Sequence, residues 1–529
     1  MKYDAIVVGG GISGLTTAAF LAKSGHTVLL CEKESRCGGL INSFERDGFI
    51  YDGGIRALEN SGVLFPMLKS LGIELEFVKN HISLGIENQV IEVNFEEDVE
   101  KYQTMLSDLY PESREEIQAI IKQIRKIMHY MDVQYGIDNP IFLDFKQDMA
   151  YLGKVLLPWV IKYAFTAPKI SALNEPVVDF LRKYSQNQSL LDIISQHFFH
   201  DTPAFFALSY LKLYIDYYYP LGGTGKFPEK LVKFIEDHHS EIKTNSEISS
   251  VDPAHKTITD SQGGVYEYEG LVWAADLKTL YRIVDLANIP DRQLRQTIDA
   301  RQVELQDKTG NDSVFSLFLG LDLPKEYFSS KATEHFFYTP SKIGQSEAGE
   351  IPTTAERETV KKWLDKYFAL TTYEIACPAM RDPKLAPADK TGLIVSVLFD
   401  YELTKSIERA GWYEEFKSYC ESQMIATLNA SIYPGISEAI IHQFSSTPLT
   451  LEKYSGNFQG AITGWALNNK PIPAESRIPK IMNAVKTPIP GIFQAGQWTY
   501  SPSGLPISLL TGKIAADQVV KGLGKQKSK

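Results

Sequence analysis

The sequence predicts an α/β protein, with a parallel-stranded domain opening the chain and a second region of mixed sheet and helices. Three observations predict it. A β-branched run, Asp4 to Val8, passes directly into Gly9-Gly10-Gly11 and then into an alanine- and leucine-rich stretch that reads as a helix. A second apolar run, Thr27 to Cys31, follows almost at once. The chain has 529 residues, whereas single cores stop growing near ~250–300 residues, so about two to four domains are expected.

Within the opening unit, Gly9, Gly11 and Gly14 satisfy G-x-G-x-x-G between strand and helix. Gly9 permits a tight turn, Gly11 lets a pyrophosphate approach the backbone, and Gly14 lets helix and strand pack closely. The amides at the helix start, Ile12 and Ser13 among them, face the phosphates, and the helix dipole favours their charge. The helix is expected over Leu15 to Ser24, closed by Gly25. Glu32 ends the second strand, where an acid accepts hydrogen bonds from ribose hydroxyls. Strand, glycines, helix, second strand and acid in register point to a Rossmann-like dinucleotide site, for FAD or NAD rather than NADP.

Composition excludes other classes. Apolar residues are 44% and charged residues 22%, values of a globular chain rather than a disordered or fibrous one. Net charge is −11, and with no basic stripe the chain is a poor partner for nucleic acid. Cys31, Cys37, Cys377 and Cys420 have no zinc-ligand spacing; four free thiols and no metal are expected. The N-terminus lacks the apolar core of a secretory signal, and no stretch reaches the ~18 apolar residues of a membrane span. A cytoplasmic location is expected, with docking on a membrane face left open.

Further motifs narrow the cofactor. After Glu32 come Lys33 and a short polar stretch, then Gly38-Gly39, then a strand ending in Tyr51-Asp52-Gly53-Gly54-Ile55. Residues 219–225 read YPLGGTG, followed by an amphipathic helix (Phe227 to His238) and EIKTNSEISSV, in which Ile248 stands. The C-terminal segment reads GIFQAGQWTYSPSGLPISLLTG. Together these resemble the flavoprotein superfamily of amine oxidases, and within it the phytoene desaturase, carotenoid isomerase and retinol saturase branch. The resemblance covers most of the chain in three blocks. It implies a glutathione reductase-type, amine oxidase-like FAD domain with FAD as the only cofactor, since no second glycine-rich motif occurs. The cofactor contacts it implies are Gly9, Gly11, Ile12, Ser13, Gly14, Glu32, Lys33, Gly38, Gly39, Gly54, Ile55, Ile248, Gly496, Gln497, Leu505, Pro506 and Ile507. Many relatives place an acid after the glycine where this chain has Gln497, so a contact there is amide- or backbone-mediated. Pro506 suits the first position of a helix expected over Ile507 to Val520, whose start would stabilise negative charge on the flavin's pyrimidine edge.

The resemblance also implies interleaved domains: 1–85, 215–285 and 450–529 for FAD, with 86–214 and 286–449 facing the substrate. In the latter, Asn94 is expected to cap a helix carrying Val99, Tyr102, Met105, Leu106 and Leu109. Ile117, Ile120, Ile121, Ile124, Ile127, Met128 and Met131 form an apolar stripe read as core packing. The aromatic tract 203–221 is either a buried helix or the wall of a long apolar tunnel. VLLPWVIKYAF (155–165), with Lys154, Lys162 and Lys169 around it, is a candidate for dipping into a bilayer surface. Residues 315–321, 396–403 and 442–449 read as strands, 340–360 as a mobile loop, and the tail from Gly522 as frayed.

No Ser-His-Asp, HExxH or P-loop pattern occurs. A flavin carries out hydride chemistry while the protein supplies orientation and exclusion of water. Arg56 is the one candidate catalytic residue: it approaches the flavin, anchors a polar substrate end, or is structural and paired with Glu59 or a neighbour; no general base is named. The expected function is FAD-dependent desaturation, saturation or isomerisation of carbon–carbon double bonds in a long apolar isoprenoid, carotenoid-like or lipid substrate. A flavin amine oxidase and a lipid-binding flavoprotein with structural FAD are the alternatives.

Overall fold

The computed structural model describes residues 2–143 and 149–527. The opening strand, Lys2–Val8, is buried from Ala5 onward because neighbours cover both its faces. It pairs in parallel with Val28–Cys31 on one side and Val265–Trp273 on the other. The sheet runs Glu241–Lys243, Val28–Cys31, Lys2–Val8, Val265–Trp273, Thr257–Asp260 and Ile248–Asp252, and Ile492–Gln494 also pairs with Val265–Trp273. Its strands therefore come from the beginning, middle and end of the chain. The helix Ile12–Lys23, starting three residues earlier than expected, packs on the C-terminal helix Leu505–Lys527, where Thr17 donates to the Gly512 carbonyl at 3.1 Å.

A second sheet runs Ile440–Ser446, Ser313–Leu321, Thr391–Phe399, Tyr373–Ala376, His335–Thr339, Ile82–Ile86 and Gln89–Val93. The boundary expected after residue 85 thus falls inside one of its strands. The helices Val99–Leu109 and Arg114–Tyr135 pack beside it, and the isoleucine stripe is buried in their shared core. Arg357–Leu370 and Tyr413–Ala430 form a further apolar cluster with the sheet.

Several local expectations change. The strand expected over 396–403 stops at Phe399, because the Asp400 carboxylate accepts the Leu403 amide at 2.6 Å and caps a helix, Tyr401–Arg409. The strand at 442–449 stops at Ser446, where Thr447 caps Pro448–Ser455. Asn94 does not cap its helix: Asp98 accepts the amides of Asn94 and Phe95, and a short turn, Glu96–Asp98, precedes Val99. The tract 340–360 holds a 3₁₀ turn, Gln345–Ala348, and the start of the helix Arg357–Leu370. The tail is helical through Lys527, and residues 528–529 lie outside the described residues.

Candidate functional site: one cavity from the glycine crossover to an aromatic wall

At the first crossover, Gly9 has φ +102°, and a Cβ there would sit 2.8 Å from the Ala274 carbonyl oxygen. A Cβ on Gly14 would strike the Gly9 carbonyl, so the glycine is what allows helix and strand to close up. Around Gly11 the space is open, and no side chain caps the helix it begins. First-turn amides at such an end are free for an anion, and the dipole favours one. Glu32 follows the second strand. Its carboxylate accepts the Gly10 amide at 2.6 Å and the Glu34 amide at 2.9 Å. Burial pushes its carboxyl up, and these two N–H groups oppose the shift.

A cavity of about 580 Å³ runs from here into the second sheet. Of the residues anticipated from the sequence, Gly9, Gly11, Ile12, Ser13, Glu32, Lys33, Gly38, Gly39, Gly54, Ile55, Arg56, Ile248, Gly496, Gln497 and Leu505 line it. Gly14, Pro506 and Ile507 do not: Gly14 is the packing contact just described, and Ile507 is buried in the core. The C-terminal helix begins at Leu505, so Pro506 is its second residue, and Ser508 lines the cavity instead. Gly496 has φ +97°, and its amide donates to Thr511 Oγ1 at 3.0 Å; a Cβ there would lie 3.4 Å from that of Ser13. The end of the chain is thereby held against the first helix's start.

Two separate motifs meet at Asp52, which is 1% exposed. Its Oδ1 accepts Ser43 Oγ, Thr224 N and Thr224 Oγ1 at 2.8, 2.9 and 2.9 Å, and Oδ2 accepts the Tyr219 hydroxyl at 2.8 Å. Asp52 is therefore a clamp joining the Tyr51–Gly54 turn to the YPLGGTG turn.

The other end of the cavity is aromatic. Tyr210 lies 5.3 Å from Phe198, 5.5 Å from Phe206 and 5.0 Å from Tyr214, and Tyr214 stacks on Phe337 at 5.3 Å. Of the 203–221 tract, Phe206, Tyr210, Tyr214 and Tyr217 line the cavity. Phe205 is packed in the helical core, and Tyr218 lies against Phe65 at 4.7 Å. The tract is both wall and core.

Arg56 stands between the two ends, buried. It does not pair with Glu59. Nη1 donates to the Asp52 carbonyl at 2.7 Å and Nη2 to Ser396 Oγ at 2.8 Å and Ser316 Oγ at 3.4 Å. Beside it lie polar residues the sequence reasoning missed. Sheet register aligns Phe337, Glu374, Ser396, Ser316 and Ser446 in one row across four strand pairings. Glu374 accepts His335 Nε2 at 2.9 Å. Arg381 Nε donates to Asn80 Oδ1 at 2.7 Å, and Asn80 Nδ2 faces His335 Nδ1 at 3.4 Å. That order of donors sets a neutral imidazole protonated on Nε2. Burial pushes His335 down, consistent with that state. Burial works against the charge on Glu374, but the His335 hydrogen bond and the fields of Arg56 and Arg381 oppose it and hold the carboxyl low. Polar residues inside otherwise apolar strands were the available signal.

The cavity fits a dinucleotide with a flat ring at its far end. It offers uncapped helix amides and glycine-only approaches at one end. Ser13 and Ser503 line it with buried hydroxyls that have no protein partner among the described residues.

The model of a family described as flavin-containing amine oxidoreductase matches residues 12–520. The chain is 23% identical to all-trans-retinol 13,14-reductase of Danio rerio, over 93% of this chain and 82% of that one. It is 21% identical to a 1-hydroxycarotenoid 3,4-desaturase of a Flavobacterium species, over 97% and 98%. Identity is 23% to the chloroplastic prolycopene isomerase of Daucus carota, over 100% and 82%. Among solved structures, an oxidoreductase from Methanosarcina mazei superposes with a TM-score of 0.60 at 14% identity, over 98% of this chain and 100% of that one.

Proposed function

Because the chain belongs to the flavin-containing amine oxidoreductase family and has FAD as its cofactor, we propose that it desaturates, saturates or isomerises carbon–carbon double bonds of a long apolar isoprenoid or lipid. The observation that carries this is the single cavity joining the glycine crossover to the aromatic wall. Rings at 5.0–5.5 Å from one another give a polyene a flat, apolar surface. The names of the three relatives, which concern retinol and carotenoids, support the same substrate class.

In this proposal Gly9, Gly11, Ile12, Ser13, Gly38 and Gly39 hold the diphosphate, and Glu32 and Lys33 lie at the ribose. Ile248 meets the adenine, while Gly54, Ile55, Gly496, Gln497 and Leu505 flank the flavin. Residues 1–85, 215–285 and 450–529 make up most of the cofactor domain. The bound flavin supplies hydride transfer. The aromatic wall orients the chain and excludes water from it. Arg56, fixed at three points, keeps a positive charge beside the reacting end of the cavity.

The proposal extends to a lipid surface as the source of substrate. The helix Leu157–Ser171 turns Leu157, Val160, Ile161 and Phe165 outward, at 62, 48, 55 and 73% exposure. Lys154, Lys162 and Lys169 surround them, a pattern matched to an anionic bilayer. Among the described residues no helix is long and apolar enough to cross a membrane.

The test is anaerobic incubation of FAD-loaded protein with a panel of polyenes, isoprenoids, unsaturated fatty acids and amines, products being read by mass. A change of two hydrogens, or an isomer of unchanged mass, in a polyene or isoprenoid supports the proposal. Flavin bleaching by amines alone overturns it.

A further inference from the structure

Resting on the function just proposed, we infer that the substrate is a chain alcohol, apolar along its length and carrying one hydroxyl, which donates to Oε2 of Glu374.

Tyr373–Ala376 is an interior strand with both neighbours paired, yet the Glu374 side chain keeps 34% of its surface exposed. That surface faces the cavity, which Glu374 lines together with Tyr214, Tyr217 and Phe337. One oxygen, Oε1, is taken by His335. The His335 ring is itself fixed through Asn80, so the carboxylate cannot swing away without breaking a buried chain of hydrogen bonds. Oε2 is left to whatever fills the cavity. A pure hydrocarbon would strip water from a carboxylate oxygen and return no hydrogen bond, which binding sites penalise heavily. A hydroxyl satisfies it.

Charge narrows the choice of head group. Glu374 stands within the fields of Arg56 and Arg381, with His335 neutral. An ammonium head would meet the Arg56 guanidinium, which lines the cavity beside Glu374. A carboxylate head would meet Glu374 itself. A neutral donor meets neither repulsion, so Glu374 is a specificity-determining residue for an alcohol. Its cross-strand partner Ser396 is held by Arg56, which follows the Gly54-Ile55 turn. The hydroxyl end therefore enters first and sits toward the cofactor, with the remainder of the chain along the aromatic wall.

The experiment uses the FAD-loaded protein and three probes of one chain length: geranylgeraniol, the matching hydrocarbon and geranylgeranoic acid. Binding is measured by equilibrium dialysis and by perturbation of the flavin spectrum. The alcohol is expected to bind about tenfold tighter than either other probe. In Glu374→Leu that preference should fall to within about twofold, while Glu374→Gln, which keeps an acceptor and the side-chain shape, should retain part of it. Hydrocarbon or acid binding to the unaltered protein as tightly as the alcohol overturns the inference, whether or not the variants fold. If none of the three binds, the isoprenoid function proposed above falls with it. If the alcohol alone binds but no incubation changes a double bond, the alcohol site stands and the proposed chemistry does not.

Discussion

Replacing Leu157, Ile161 and Phe165 together by serine tests the lipid surface most directly. Their exposures of 62, 55 and 73% leave more than half of each residue free to enter an acyl phase. Full burial of such a side chain is worth about 1.5–3 kcal/mol, so the three together supply about 4 kcal/mol, or about a thousandfold in partitioning. The fold should be unaffected, because the helix is held through Trp159, whose Nε1 donates to the Val133 carbonyl at 2.5 Å, and through Ile170, which packs against the helical core. The assay is co-sedimentation with vesicles of phosphatidylglycerol and phosphatidylcholine, with circular dichroism as the control. Alanine at Lys154, Lys162 and Lys169 should weaken binding by about 1 kcal/mol each on anionic vesicles only, and salt should mimic that loss. A serine variant that sediments like its parent, or a parent that stays in the supernatant, would refute the reasoning.

Two further outcomes follow from buried groups. Asp52→Ala strands four donors and should lower stability by about 3 kcal/mol and release FAD at lower temperature. Asp52→Asn should cost only about 1 kcal/mol, since its amide can face the Tyr219 hydroxyl, which turns from donor to acceptor; equal losses for Ala and Asn by flavin fluorescence on heating would contradict this. Burial pushes the Glu59 carboxyl up to about 7, with the Ser61 hydroxyl opposing and Asp216 adding to the rise. The folded protein then binds a proton there that the unfolded chain has lost, so this contribution is full below the ordinary carboxylate range and disappears as pH rises through about 7. Between pH 5 and 8 the melting temperature should fall more in the parent than in Glu59→Gln, and parallel curves would count against the assignment.

The cofactor half was legible because its demands are local. Gly9, Gly11 and Gly14 are required by a turn, an approach and a helix–strand contact that all lie within six residues. The Gly496 segment was readable for the same reason. Glu374, His335, Ser316 and Ser396 were not, since strand register joins them and a polar residue in an apolar strand does not by itself say which partners it meets. Asp52 was noticed as part of a turn, but its role depends on Thr224 and Tyr219, more than a hundred residues away. Strand ends at Asp400 and Thr447 were overrun because one side-chain cap outweighs the β-propensity on either side of it.

The central strand Val265–Trp273 takes its partners from Lys2–Val8 and from Ile492–Gln494, and the first helix is walled in by the last. On the ribosome, a nascent chain that has not yet emerged past Ile492 cannot complete the pocket it began to encode at Gly9. Cofactor capture is thereby postponed until the strand Ile492–Gln494 and the helix after it have emerged, and until then apolar faces of the opening segment stay uncovered.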